Sequence, residues 1–240
     1  MPPRKTSSGI CTYCLAPIAK PSRSILDHIT GCPEQKVIDE NLEYSDHLIM
    51  MIEGEDPNYW MIIKTLPNNT LTRLDTFLRN IWVECCGHMS EFSYGTTSSG
   101  GTIGKSQKLW DIFERNEEFF YTYDFWTPTN IRCKLLGIGL LGTEKGQFTV
   151  LMRNEAPQAL CMSCTESAQF ICSYCLCENK NPYICENCQW QHECVKKENG
   201  ETYMLMDVVN SPRMGECGYC GYDLDDVKVK KYFPRGIIES

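Results

Sequence analysis

Residues 47–66 read HLIMMIEGEDPNYWMIIKTL, and residues 67–86 continue PNNTLTRLDTFLRNIWVECC. Two apolar, β-branched-rich runs flank GEDPN, whose Gly, Asp, Pro and Asn favour a turn. This predicts a β-hairpin, about 47–53 and 59–66. Behind it, Leu71, Leu74, Leu78 and Ile81 or Trp82 recur at helical spacing, with Asn69 or Thr70 as the N-cap. The helix would lie on the hairpin with that stripe inward. A hairpin followed by its packing helix is an α+β opening, not the strand–helix alternation of a parallel sheet.

Working outward, HMSEFSY (88–94) reads as a strand and KLWDIFERN (108–116) as a short amphipathic helix. EEFFYTYDFWTPTNIRCKLLGIGLLG (117–142) and QFTVLMRN (147–154) read as three strands, with turns at TPTN and GTEKG. Cys133 falls in an alternating strand and is expected in the core. The expected architecture is α+β: one mixed sheet with helices on one face, flanked by small zinc-binding modules. The division is 1–36 as an amino-terminal finger, 37–46 as a polar linker, 47–155 as the α+β domain, and 156–240 as a cysteine-rich module and tail.

The 240 residues include 16 cysteines, most of them at CxxC spacing with histidine nearby, which favours metal over a disulfide scaffold. Near the start, Cys11, Cys14, His28 and Cys32 form C-x2-C-x13-H-x3-C. His28 and Cys32 are four apart and share one face of a short helix in SRSILDHIT, capped by Ser22 or Ser24. A segment this short rarely folds without metal or a disulfide.

Residues 156–194 carry Cys161, Cys164, Cys172, Cys175, Cys177, Cys185, Cys188, His192 and Cys194, and Cys217 and Cys220 come later in GECGYCG. Each CxxC turn aims two thiolates at one point, and zinc takes four such ligands. One pairing is a cross-brace, with Cys161/Cys164 and Cys185/Cys188 on one ion and Cys172/Cys175 and His192/Cys194 on another. The alternative joins Cys161/Cys164 to Cys217/Cys220 around an inner site from Cys172/Cys175 and Cys185/Cys188. Eleven candidates exceed the eight ligands needed, so spacing leaves the pairing open, with Cys177 as the first spare. About three zinc ions per chain are expected, one amino-terminal and two carboxyl-terminal.

The net charge is −8, and only residues 1–36 carry a basic excess. An acidic chain is repelled by phosphate backbones. Nucleic acid is therefore expected, if at all, only at Arg4, Lys5, Lys20, Arg23 and the tail KVKKYFPR (228–235). MPPRKTSSGI has no apolar run, and the longest apolar stretch, LLGIGLLG, is too short to span a bilayer. The expectation is a cytoplasmic protein with no membrane partner.

Two further motifs invite a catalytic reading. GGTIGKS (100–106) resembles a phosphate-binding loop, yet Ser99 stands at the first glycine position and the preceding strand is too polar for the centre of a parallel sheet. It reads as a plain loop, with no nucleotide expected. Cys85, Cys86 and His88 suggest a nucleophile pair or a metal site; the competing reading is small buried cysteines with Gly87 closing the helix. The second is adopted, because no orienting third group is in sight. Glu193 sits beside two ligands but reads as a solvated charge. No open zinc position with a base beside it emerges, so an enzyme is not expected. A non-enzymatic zinc-binding protein with protein partners ranks first, and a nucleic-acid- or ribosome-associated zinc-finger protein second.

YWMIIKTLPNNTLTRLDTFLRNIWVECCGHMSEF, YTYDF, TPTNIRCKLLG, LMRNEAPQALC and VVNSPRMGECGY, in this order between Asp46 and Asp223, resemble the plasmid pRiA4b ORF-3-like family. The closer likeness is to its members with a cysteine-rich carboxyl terminus. The resemblance implies an α+β domain and no established activity. Many members carry Gly-Asp after YDF and a Trp-x-His further on; Trp126, Thr127 and Pro128 stand here instead, so no role carries over for that loop. The amino-terminal finger and the glycine-rich loop look like additions to the family plan.

Overall fold

The structure, a computed structural model, describes residues 7–19, 24–96, 100–143, 148–195, 205–222 and 226–234. The expected hairpin forms as strands β3 (Glu43–Gly54) and β4 (Trp60–Thr65). They pair antiparallel from Leu48↔Thr65 to Glu53↔Trp60. Helix α3 (Leu71–Leu78) starts behind Thr70 and continues as a π-helical turn, Arg79–Val83. Strands β5 (Ser90–Ser93), β7 (Glu118–Tyr123), β8 (Thr129–Thr143) and β9 (Thr149–Asn154) and helix α4 (Leu109–Phe113) stand where the sequence places them. A short strand β6 (Thr102–Ile103) interrupts the stretch read as a loop.

The amino-terminal strands β1 (Gly9–Cys11) and β2 (Pro17–Ile18) complete a nine-stranded sheet, ordered β2-β1-β9-β4-β3-β8-β7-β5-β6. The class is α+β, as expected. Two details differ. Every strand pairing in this sheet is antiparallel, where a mixed sheet was expected. Helices also cover both faces. On one, Leu71, Leu74, Phe77, Ile81 and Trp82 pack over Leu48, Met50, Ile52, Met61 and Ile63. On the other, Ile25 and Ile29 of α1 (Ser24–Gly31) pack with Tyr13 over Ile49, Trp60 and Ile62. A strand buried on both sides has no polar face, which is why LIMMI and WMII run without alternation.

The finger is therefore docked onto the sheet. Strand β1 pairs β9 from Gly9↔Asn154 to Cys11↔Met152, and Thr12 donates its hydroxyl to the Val150 carbonyl at 2.6 Å. A Cβ at Gly9 would meet the Trp60 ring at 2.4 Å, so only glycine lets β1 lie this close. Nor is 37–46 a linker. Helix α2 (Pro33–Ile38) runs into it and β3 begins at Glu43, with Asp39 buried between them.

The carboxyl-terminal region has two parts. Strands β10 (Phe170–Cys172), β11 (Tyr183–Ile184) and β12 (Leu205–Asp207) make a small sheet ordered β11-β10-β12, with helix α5 (Ser173–Cys177) behind β10. Beyond β12 the chain returns to the main domain. Ser211 donates to the Trp82 carbonyl at 2.6 Å, and Arg213 is fully buried. Helix α6 (Val227–Lys230) leads Val229, Tyr232 and Phe233 into the core against Phe77. The basic tail is thus also an apolar anchor, because Val, Tyr and Phe alternate with its lysines. No helix among the described residues is long and apolar enough to cross a membrane.

Candidate metal centres

Four groups of Cys and His have their ligand atoms within 4.8 Å of one another among the described residues. The first is Cys11, Cys14, His28 and Cys32. The β1–β2 turn presents the first two, and α1 with the bend into α2 presents the others. Cys14 Sγ and His28 Nε2 stand 3.5 Å apart, near the edge of a zinc tetrahedron, about 3.6 Å for an S–N pair. Cys11 and Cys32 are buried, and burial pushes the Cys11 thiol up to about 12. Ionising it needs a nearby cation, which a metal ion held by the four ligands would supply.

The next two groups decide between the pairings left open by spacing. Cys161, Cys164, Cys185 and Cys188 converge, with Cys164 Sγ 3.6 Å from Cys185 and 3.7 Å from Cys188. Cys172, Cys175, His192 and Cys194 converge likewise, with Cys175 Sγ 3.4 Å from His192 Nε2 and 3.7 Å from Cys194. Pair one meets pair three and pair two meets pair four, the cross-brace arrangement; the ribbon alternative is not what the fold builds. Burial opposes ionisation of Cys161, but hydrogen bonds from backbone amides, Ser163 among them, outweigh it and lower the thiol to about 6. Cys177 is exposed on α5 and joins none of these groups.

Cys217 and Cys220 do not act as a pair. Cys217 and Gly218, at the turn between them, both have positive φ, +49° and +67°. Cys220 belongs to none of the four groups, whereas Cys217 joins Cys85, Cys86 and His88. The reading of Cys85 and Cys86 as buried small residues is therefore corrected: Cys86 is exposed, Cys85 half-buried, and Cys217 completes their set. No local pattern shows this, because Cys217 arrives from the far end of the chain.

Lys105 of GGTIGKS is engaged by protein groups. Its Nζ lies 2.7 Å from Ser90 Oγ and 3.2 Å from Asp75 Oδ2. Burial opposes the ionisation of Asp75, but hydrogen bonds from Ser90 and Tyr121 and the neighbouring Arg79 and Lys105 outweigh it, holding the carboxyl below its usual range. Ser99, Arg4, Lys5, Lys20 and Arg23 lie outside the described residues. Isothermal titration of the native chain and of Lys105→Ala should give the same flat ATP trace. Micromolar binding lost on that substitution would restore the phosphate-loop reading.

Neither a protein-family model nor a curated protein matches the chain. Among solved structures, one of a protein of unknown function from Methanosarcina mazei Go1 is similar at 18% identity and a TM-score of 0.37. It covers 53% of this chain and 72% of that one.

Proposed function

We propose that this chain is a zinc-binding, non-enzymatic interaction protein, in which metal fixes small modules that present side chains to a protein partner in the cytoplasm. The carrying observation is the interleaving of two complete tetrads in one short segment. Four protein ligands leave no position for a reacting water, the mark of a structural zinc as opposed to a catalytic one. Thiolates and imidazoles in tetrahedral sets favour zinc among the common divalent ions. A reducing compartment, which keeps such thiols ready for metal, supports the cytoplasmic placement. The module shows large side chains to solvent: Tyr174 is 48% exposed and Trp190 65%. Aromatics of this kind are frequent anchors of protein interfaces. Membership of the plasmid pRiA4b ORF-3-like family, carried by the motifs between Asp46 and Asp223, is part of the same reading.

Protein made with ample zinc should carry at least three equivalents by elemental analysis. Affinity purification from cells should recover a partner that is lost together with Tyr174→Ala and Trp190→Ala. A zinc content of one or less, or capture unaffected by both substitutions, contradicts the reading.

A further inference from the structure

We propose that Cys85, Cys86, His88 and Cys217 form a fourth zinc site, the most exchangeable of the set, which clasps the carboxyl-terminal segment onto the end of the long helix. Cys86 Sγ stands 3.8 Å from Cys85 Sγ, 3.7 Å from Cys217 Sγ and 3.0 Å from His88 Nε2. His88 Nε2 lies 3.3 Å from Cys217 Sγ. Four zinc–ligand bonds of about 2.0–2.3 Å place tetrahedral S–S edges at about 3.8 Å and S–N edges at about 3.6 Å. The two S–S distances agree closely, and the two S–N distances need to open slightly.

The loop is held in this shape before any metal arrives. The Tyr123 hydroxyl donates to Glu84 Oε1 at 2.9 Å and accepts the backbone N–H groups of Cys85 and His88 at 3.4 and 3.3 Å. Arg79 donates to Glu84 and to the His88 carbonyl, at 2.6 and 2.7 Å. Gly87, at φ +81°, makes the turn that brings His88 back over Cys86. From the other side, Cys217 is delivered by a segment locked in place through Arg213. The Arg213 guanidinium donates to Asp124 Oδ2 at 2.7 Å and lies 3.7 Å from Cys85 Sγ. Three thiolates and a neutral imidazole around Zn²⁺ carry a charge of −1, and this guanidinium is placed to offset it. Asp124 Oδ2 is also 3.5 Å from His88 Nε2, but Thr127 and Arg213 already hold that oxygen, which leaves the three sulfurs and the imidazole as ligands.

Exposure separates this site from the others. Each of the other three tetrads contains at least two buried ligands, and this one contains none. A chelator reaches such an ion directly, without the surrounding structure having to open.

The proposal shares its metal with the interaction-protein reading but is tested by a difference, so the two fail separately. Elemental analysis of the full chain should give four zinc ions, and Cys86→Ser and Cys217→Ser should each give three. Cys220→Ser should keep four. Unchanged circular dichroism is expected in both ligand variants, since both cysteines are exposed. A moderate chromogenic chelator should withdraw one equivalent from the native chain in a first phase that both variants lack. The proposal is overturned if both variants hold as much zinc as the native chain, if both lose more than one ion, or if release from the native chain has no separate first phase. A total below three with the one-ion difference intact would count against the other tetrads, not this one.

Discussion

Cys172→Ser should cost the chain two zinc ions and the fold of residues 159–195, while the nine-stranded sheet stands. Cys172 closes β10, the middle strand of the small sheet, and is fully buried. Its sulfur also accepts the Cys175 backbone N–H at the start of α5. The module's apolar cluster consists of Cys172, Cys175 and Ile184, with Cys188, Cys194 and Leu205 against it. Most of that cluster is ligand sulfur, so little hydrophobic burial remains once metal is gone. Ordering a residue costs roughly 1–2 kcal/mol of backbone entropy. A structural zinc site contributes on the order of 10–16 kcal/mol of apparent binding free energy, which is also folding free energy.

The second ion should leave with the first because the tetrads interleave. Cys185 and Cys188 lie between Cys175 and His192, so neither loop closes alone. Hydrogen exchange should show protection lost at Phe170–Cys172 and retained in β3, β4 and β8. Elemental analysis showing a single ion lost, with β10 still protected, would mean that each tetrad folds by itself.

The same physics explains what could be read beforehand. The hairpin, the α3 stripe and the CxxC spacings are local: each signal is complete within about two turns or one strand pair. Strand β1 pairs β9 at Cys11↔Met152, and Cys86 meets Cys217, across separations that no periodicity reports. Those contacts are the ones that join the separately read finger to the edge of the sheet and make two cysteines read as buried into half of a tetrad. One clue was present. LIMMI and WMII lack the alternation of a strand with one wet face, and that lack already announces a second covering layer. The lysines of 228–231 drew attention to charge, but Val229, Tyr232 and Phe233 between and after them have the spacing of an anchor.

Asp39→Ala should destabilise the chain by about 3–5 kcal/mol, the usual cost of removing one partner from a buried ion pair. Lys64 points from β4 into the face covered by the finger, and its side chain is 3% exposed. Its ammonium lies 3.2 Å from Asp39 Oδ2 and 2.8 Å from the Gly142 carbonyl. It also sits 5.8 Å from the centre of the Tyr13 ring, so finger, bend and sheet meet around one charge. The fit is close: a Cβ at Gly142 would approach Asp39 Cβ to 2.7 Å. Removing the carboxylate takes the Asp39 charge away from an ammonium whose side chain is almost fully buried. Replacing both partners, as Lys64→Met with Asp39→Leu, removes both desolvation costs and should recover most of the loss. Denaturant unfolding of the native chain and of these two variants, with zinc bound, checks this. A loss below about 1 kcal/mol for Asp39→Ala would show water reaching the pair, as at an exposed salt bridge. A double variant no better than the single would show that Asp39 matters for the bend between α2 and β3, not for its charge. Because the pair lies under the finger, hydrogen exchange of Asp39→Ala should show β1 and α1 opening before α3, with Cys11, Cys14, His28 and Cys32 left as the tie that still holds the finger together.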